Sequence, residues 1–120
     1  MGAMRLLVVD DDPAIRALGR ALAEQVGCSD VVDVADGAGA VALAQECPFD
    51  LALVDFHMPG MDGVETTRRL LAICPGLEIF AWTSVLDPGV ERAFLAAGAT
   101  RHIPKTETAQ LVAELARCAS

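Results

Sequence analysis

The sequence predicts an α/β fold built on a parallel sheet. Short apolar runs alternate with helical segments along the whole chain, five of each. The runs are continuous rather than alternating apolar and polar, so both faces of each strand are covered. Connections of helical length between strands imply parallel pairing, right-handed crossovers and helices on both faces of a doubly wound sheet. The 120 residues suffice for one domain with a core.

Each element has a local reason. The first strand, Leu6-Leu7-Val8-Val9, runs into Asp10-Asp11-Asp12. Pro13 suits the first position of a helix and Asp12 its N-cap. That helix places Ile15, Leu18, Leu22 and Val26 on one stripe, with Arg16, Arg20 and Glu24 elsewhere, and ends at Gly27. A second strand over 31–34 turns at Asp36-Gly37 into a helix over 38–45, closed before Pro48. The third strand, 50–55, ends on Asp55, and Pro59, Gly60 and Gly63 mark a tight loop before a helix over 64–73. Pro75-Gly76 ends that helix. The fourth strand, 78–82, leads to Thr83-Ser84. Asp87-Pro88 repeats the cap-then-proline device and opens a helix that ends near Gly98. A fifth strand, 100–103, precedes Pro104-Lys105, and a final helix over 107–118 turns Leu111, Val112 and Leu115 inward.

Composition excludes several classes. The net charge is −8, which argues against nucleic acid binding by this chain, since phosphate contacts need clustered Lys and Arg. There is no membrane-length apolar stretch and no secretory signal, so a cytoplasmic setting is expected. Cys28, Cys47, Cys74 and Cys118 lie far apart without a C-x-x-C pair, which favours reduced thiols over a zinc site. Met1-Gly2-Ala3 reads as a cloning scar, leaving residues 4–120 as the domain.

The chemistry converges on one edge of the sheet. In open parallel sheets ligands bind at the carboxyl ends of the strands. Those ends deliver Asp10 and Asp11, Asp55, Thr83 and Lys105. Taken singly, the acids read as turns or caps, Thr83 as a turn residue and Lys105 as a surface lysine. Together they make three carboxylates, a hydroxyl and an ammonium. Clustered carboxylates repel, and a divalent cation with oxygen ligands, Mg²⁺, removes the conflict. Lys105 and Thr83 can hold phosphoryl oxygens, and Asp55 can act as a nucleophile that becomes an aspartyl phosphate.

The motifs Val8-Val9-Asp10-Asp11-Asp12-Pro13, Val54-Asp55 with Met58-Pro59-Gly60-Met61-Asp62-Gly63, Trp82-Thr83-Ser84 and Pro104-Lys105 resemble the receiver domain of two-component response regulators, from about Met4 to the end of the chain. The resemblance implies a flavodoxin-like sheet of order 2-1-3-4-5. It implies that Asp55 accepts a phosphoryl group from a sensor histidine kinase or a phosphotransfer protein. Asp11 would ligate Mg²⁺ directly, Asp10 through water and His57 through its backbone carbonyl. Thr83 would follow the phosphoryl group and Lys105 would pair with it. By the same resemblance the domain would assist its own phosphorylation and dephosphorylation rather than act as an enzyme. The switch would run through Thr83 and His102 to an output domain beyond Ser120 or to a separate effector, and the resemblance admits a dimer through the fourth and fifth helices.

Three positions depart from the pattern. His102 stands where Tyr or Phe is usual, Thr106 where Pro is common after the lysine, and His57 sits two residues past the acceptor. Two other readings compete. One is a phosphorylation-independent interaction module on the same fold. The other is a haloacid-dehalogenase-like phosphatase using Asp10 and Asp12 as its D-x-D pair. The phosphatase reading lacks an acidic pair beyond the lysine and a cap over the substrate.

Overall fold

The computed structural model describes residues 4–119; the expected cloning scar at residues 1–3 lies outside them. The elements are β1 (Arg5–Val9), α1 (Pro13–Gln25), β2 (Asp30–Val34), α2 (Gly37–Glu46), β3 (Leu51–Val54), α3 (Gly63–Ile73), β4 (Glu78–Thr83), α4 (Pro88–Ala97), β5 (Arg101–Pro104) and α5 (Thr108–Ala119). The strands form one parallel sheet of order β2-β1-β3-β4-β5. Fold and topology are as expected, with element ends within a residue or two.

Alternation along the buried strands sorts the core into two layers. Leu7, Val9, Ala52, Val54, Ile79 and Ala81 face the layer that holds Ala40, Ala44, Leu70 and Phe94 of α2, α3 and α4. Leu6, Val8, Leu53, Phe80, Trp82 and Ile103 face the layer that holds Leu22, Leu111 and Leu115 of α1 and α5. All these strand residues are essentially inaccessible to solvent, and burial of each large aliphatic side chain contributes about 1.5–3 kcal/mol.

Four helices open on aspartate. Asp12, Asp36, Asp62 and Asp87 accept from the backbone N–H of Ala14, Gly39, Glu65 and Gly89 at 2.7–2.9 Å. Each bond satisfies an otherwise orphaned donor and is worth about 1 kcal/mol. Asp36, expected as a turn residue, is thus also the cap of α2.

One expectation on α1 is corrected. Leu18 is exposed, and the buried face consists of Gly19, Leu22 and Ala23. Gly19 lets the helix approach the sheet closely: a Cβ there would lie 3.1 Å from Trp82 Cζ3 and 3.3 Å from Val8 Cγ1. The other expected residues, Ile15, Leu22 and Val26, do pack on this core layer, so Leu18 alone departs from the stripe.

Candidate functional site

Backbone pairing sets the site before any side chain is placed. Val9 lies opposite Val54 in the register of β1 and β3, so Asp10 and Asp55 leave the sheet at one level. The ladder continues past the strand ends: Asp10 N–H donates to Val34 O at 3.1 Å and Asp55 N–H to Val9 O at 3.0 Å. On the other side, Lys105 N–H donates to Thr83 O at 3.0 Å. Pro104 falls at the end of edge strand β5, where its missing N–H is tolerated.

Asp10, Asp11 and Asp55 each offer a carboxylate oxygen, and the three lie within 4.8 Å of one another. Asp10 is 1% and Asp55 7% exposed, whereas Asp11 faces solvent. Lys105, the single lysine of the chain, sets its Nζ 2.7 Å from Asp10 Oδ2 and 3.4 Å from Asp55 Oδ1. The other oxygen of Asp10 accepts from Asp12 N–H at 2.9 Å. Burial pushes the Asp10 carboxyl above its ordinary range and the Asp55 charge adds to this; Lys105 and the Asp12 N–H act against it.

This donor set fits a hard divalent cation. It is all oxygen, without imidazole or thiolate, and it gathers acids of which one is driven towards protonation. All four cysteines are free, and burial pushes the Cys28 and Cys118 thiols up.

The remaining expected residues take distinct places. Thr83 is fully buried at the end of β4, and its Oγ1 accepts from Val85 N–H at 3.1 Å, which leaves its own proton to donate. His57 is exposed, with its ring edge-on to Phe56 at 4.8 Å. His102 is outside the acid cluster: half-buried on β5, it stands 6.5 Å from the Phe94 ring, and its Nε2 has no partner among the described residues. All peptide bonds of the described residues are trans, Lys105–Thr106 included. Asp12 serves α1 as a cap, so it is committed to structure rather than paired with Asp10 for catalysis.

Sequence reasoning missed two supports. Arg16 Nη1 donates to Asp10 O at 2.8 Å, and its Nε pairs with Asp33 at 3.4 Å, fixing the turn that carries the acids. Gly63 packs so closely on the main chain of Asp55 that a Cβ would collide with the Asp55 carbonyl oxygen. Arg16 carried no signal beyond a polar helix face, while Gly63 was legible only as a loop breaker. A cavity of about 490 Å³, lined by Asp36, Pro59, Met61 and Glu65 among others, shares no lining residue with the acid cluster.

A doubly wound α/β domain with an oxygen-rich cation pocket and one lysine at the strand ends is the class that fold and site define. The chain belongs to the response regulator receiver domain family, whose model matches residues 6–116. It is a receiver domain of two-component systems. It is 35% identical over 115 residues to the transcriptional activator protein ExaE of Pseudomonas putida, covering 95% of this chain and 54% of that protein. The chain spans about half the length of such curated relatives. Among solved structures it is similar to the chemotaxis protein CheY4 of Vibrio cholerae, with 28% identity, TM-score 0.87 and coverage of 98% of this chain and 99% of that one. It is also similar to the receiver domain of the sensor histidine kinase PA1611 of Pseudomonas aeruginosa, which holds a magnesium ion in its active-site cleft. That match has 30% identity, TM-score 0.84 and coverage of 97% of each chain. Among the described residues no helix is long and apolar enough to cross a membrane.

Proposed function

We propose that this domain takes a phosphoryl group onto Asp55, with Mg²⁺ held by Asp10, Asp11 and Asp55, and thereby changes a surface read by a partner. The observation that carries the reading is the triangle of Asp10, Asp55 and Lys105, with the ammonium bridging both acids. An Asp55 carboxylate oxygen attacks phosphorus, and the bond from phosphorus to the donor nitrogen or oxygen breaks with its electron pair leaving on the donor. Bound Mg²⁺ supplies positive charge against the phosphoryl oxygens. Lys105 exchanges its contact with Asp55 for a phosphoryl oxygen, and Thr83 donates its hydroxyl proton to another. By the family resemblance, Asp11 would hold the cation directly and Asp10 through water, with the His57 backbone carbonyl as a further protein ligand.

The donor in this reading is a phosphohistidine on a sensor kinase or phosphotransfer protein. The response passes through Thr83 and the α4–β5 side, where His102 lies, to an attached output domain or a separate effector, in a cytoplasmic setting. Dimerisation through α4 and α5 belongs to the same proposal. Intact mass after incubation with Mg²⁺ and acetyl phosphate tests it: one added phosphoryl group in the wild type, absent with chelator and in Asp55→Asn, supports it. No adduct in the wild type, together with failure to bind a stable phosphoryl mimic, contradicts it and favours a phosphorylation-independent module.

A further inference from the structure

We propose that Phe94 is the positioning residue through which the Asp55 segment holds α4. The inference rests on Asp55 being the phosphorylated residue. Phe94 is fully buried, and it alone of the ten residues of α4 is buried. Val90, Ala93 and Ala97 pack beside it on the same core layer but stay partly exposed, so Phe94 is the deepest anchor of the helix. That side chain touches both ends of the loop that starts at Asp55. The Phe56 ring, next in sequence to Asp55, is edge-on to Phe94 with centroids 6.1 Å apart. At the other end, Phe94 Cζ would lie 2.8 Å from a Cβ at Gly63.

These two loop ends are tied together. Gly63 N–H donates to Phe56 O at 2.8 Å, so Phe56 and Gly63 form one closed unit of backbone directly after Asp55. Phe94 packs on that unit. Its ring centroid also lies 6.5 Å from that of His102. Phe94 is thus the ring that neighbours both Phe56 and His102. Close-packed interiors shift between discrete arrangements rather than deforming smoothly. A displacement of Asp55 main chain moves Phe56 and Gly63 together, and α4 follows through Phe94. His102 lies outside this seat, with Nε2 unpartnered among the described residues, and it follows Phe94 rather than driving it.

Amide hydrogen exchange of α4, with and without Mg²⁺ and beryllofluoride as a phosphoryl mimic, tests the proposal. Loading of Asp55 is followed separately by fluorine NMR. In the wild type, loading is expected to change exchange in α4 several-fold. In Phe94→Leu, Asp55 still loads, but the difference between loaded and free α4 falls below half. His102→Leu keeps the full difference. A residue that only stabilised α4 would shift both states equally and leave their difference intact. Phe56→Leu removes the contact from the loop side, and carries the same expectation should Phe94→Leu fail to fold. A full α4 response in folded Phe94→Leu or Phe56→Leu, or its loss in His102→Leu, overturns the proposal while leaving phosphorylation of Asp55 standing. Failure of the wild type to load overturns both, and is seen in the fluorine spectrum alone.

Discussion

Lys105 is held closer to Asp10 than to Asp55, at 2.7 Å against 3.4 Å. Without a cation the ammonium serves as counter-charge to the more buried acid. In the proposed function, Mg²⁺ on the acids would release it from that duty and free it for a phosphoryl oxygen.

Lys105→Met separates those two duties. Removing the positive charge leaves the acids with only a cation to offset them, so Mg²⁺ binds at least as tightly as in the wild type. Affinity for beryllofluoride falls by roughly tenfold or more, because a charge-assisted hydrogen bond worth about 1.5–3 kcal/mol is lost. Calorimetric titration of each ligand checks both halves.

Asp10 predicts a pH signature. Its folded-state pKa is raised above the ordinary 3.8, chiefly by burial. The folded protein therefore holds this proton at pH values where the unfolded chain has released it. The associated stability is fully present below about 3.8 and is lost as pH rises through the folded value. Asp10→Asn should accordingly gain stability relative to the metal-free wild type as pH rises through that window. Glu65 and Glu114, whose values are lowered by their arginine partners, titrate alike in both proteins and cancel. Urea unfolding of the pair across the acid range, with chelator, measures the difference. Repetition with Mg²⁺ at neutral pH should remove the advantage of the variant.

Gly63→Ala should destabilise the fold by about 2 kcal/mol or more, because the added methyl meets the Asp55 carbonyl oxygen and the Phe94 ring in a packed interior. Chemical denaturation measures this. Gly60→Ala, where nothing lies within 4 Å but φ is +82°, isolates backbone strain and should cost about 1 kcal/mol.

His57, two residues past Asp55, is exposed and packs edge-on against Phe56. We expect this ring to shield the aspartyl phosphate from water, so His57→Asn should lose phosphoryl several-fold faster. Timed intact-mass spectra after removal of the donor measure it, and an unchanged rate rejects the role.

The strands and two of the four aspartate caps were legible in the sequence because they depend on near neighbours. Asp12-Pro13 and Asp87-Pro88 announce helix starts through local geometry, and both serve as caps. The strand-end acids were legible for the same reason: an apolar run that stops on Asp tells where it leaves the sheet. What was hidden depends on contacts across the fold. Leu18 fits a helical stripe yet is exposed, while Gly19 beside it packs on Trp82 and Val8 of the sheet. Phe94 mixes with Val90 and Leu95 in sequence; its place as the buried residue of α4 depends on a core layer that includes contacts to Phe56 and Gly63, about thirty to forty residues away. Arg16 reads as surface charge until α1 crosses the end of β1 and brings it to Asp10.

The most direct test of the central claim is the position of the covalent adduct. After incubation with Mg²⁺ and acetyl phosphate, borohydride reduces an aspartyl phosphate to homoserine, which peptide mass spectrometry locates. The account predicts homoserine at position 55 alone, dependent on Mg²⁺. Homoserine at position 10, or none at position 55 in protein that has gained a phosphoryl group, would contradict it.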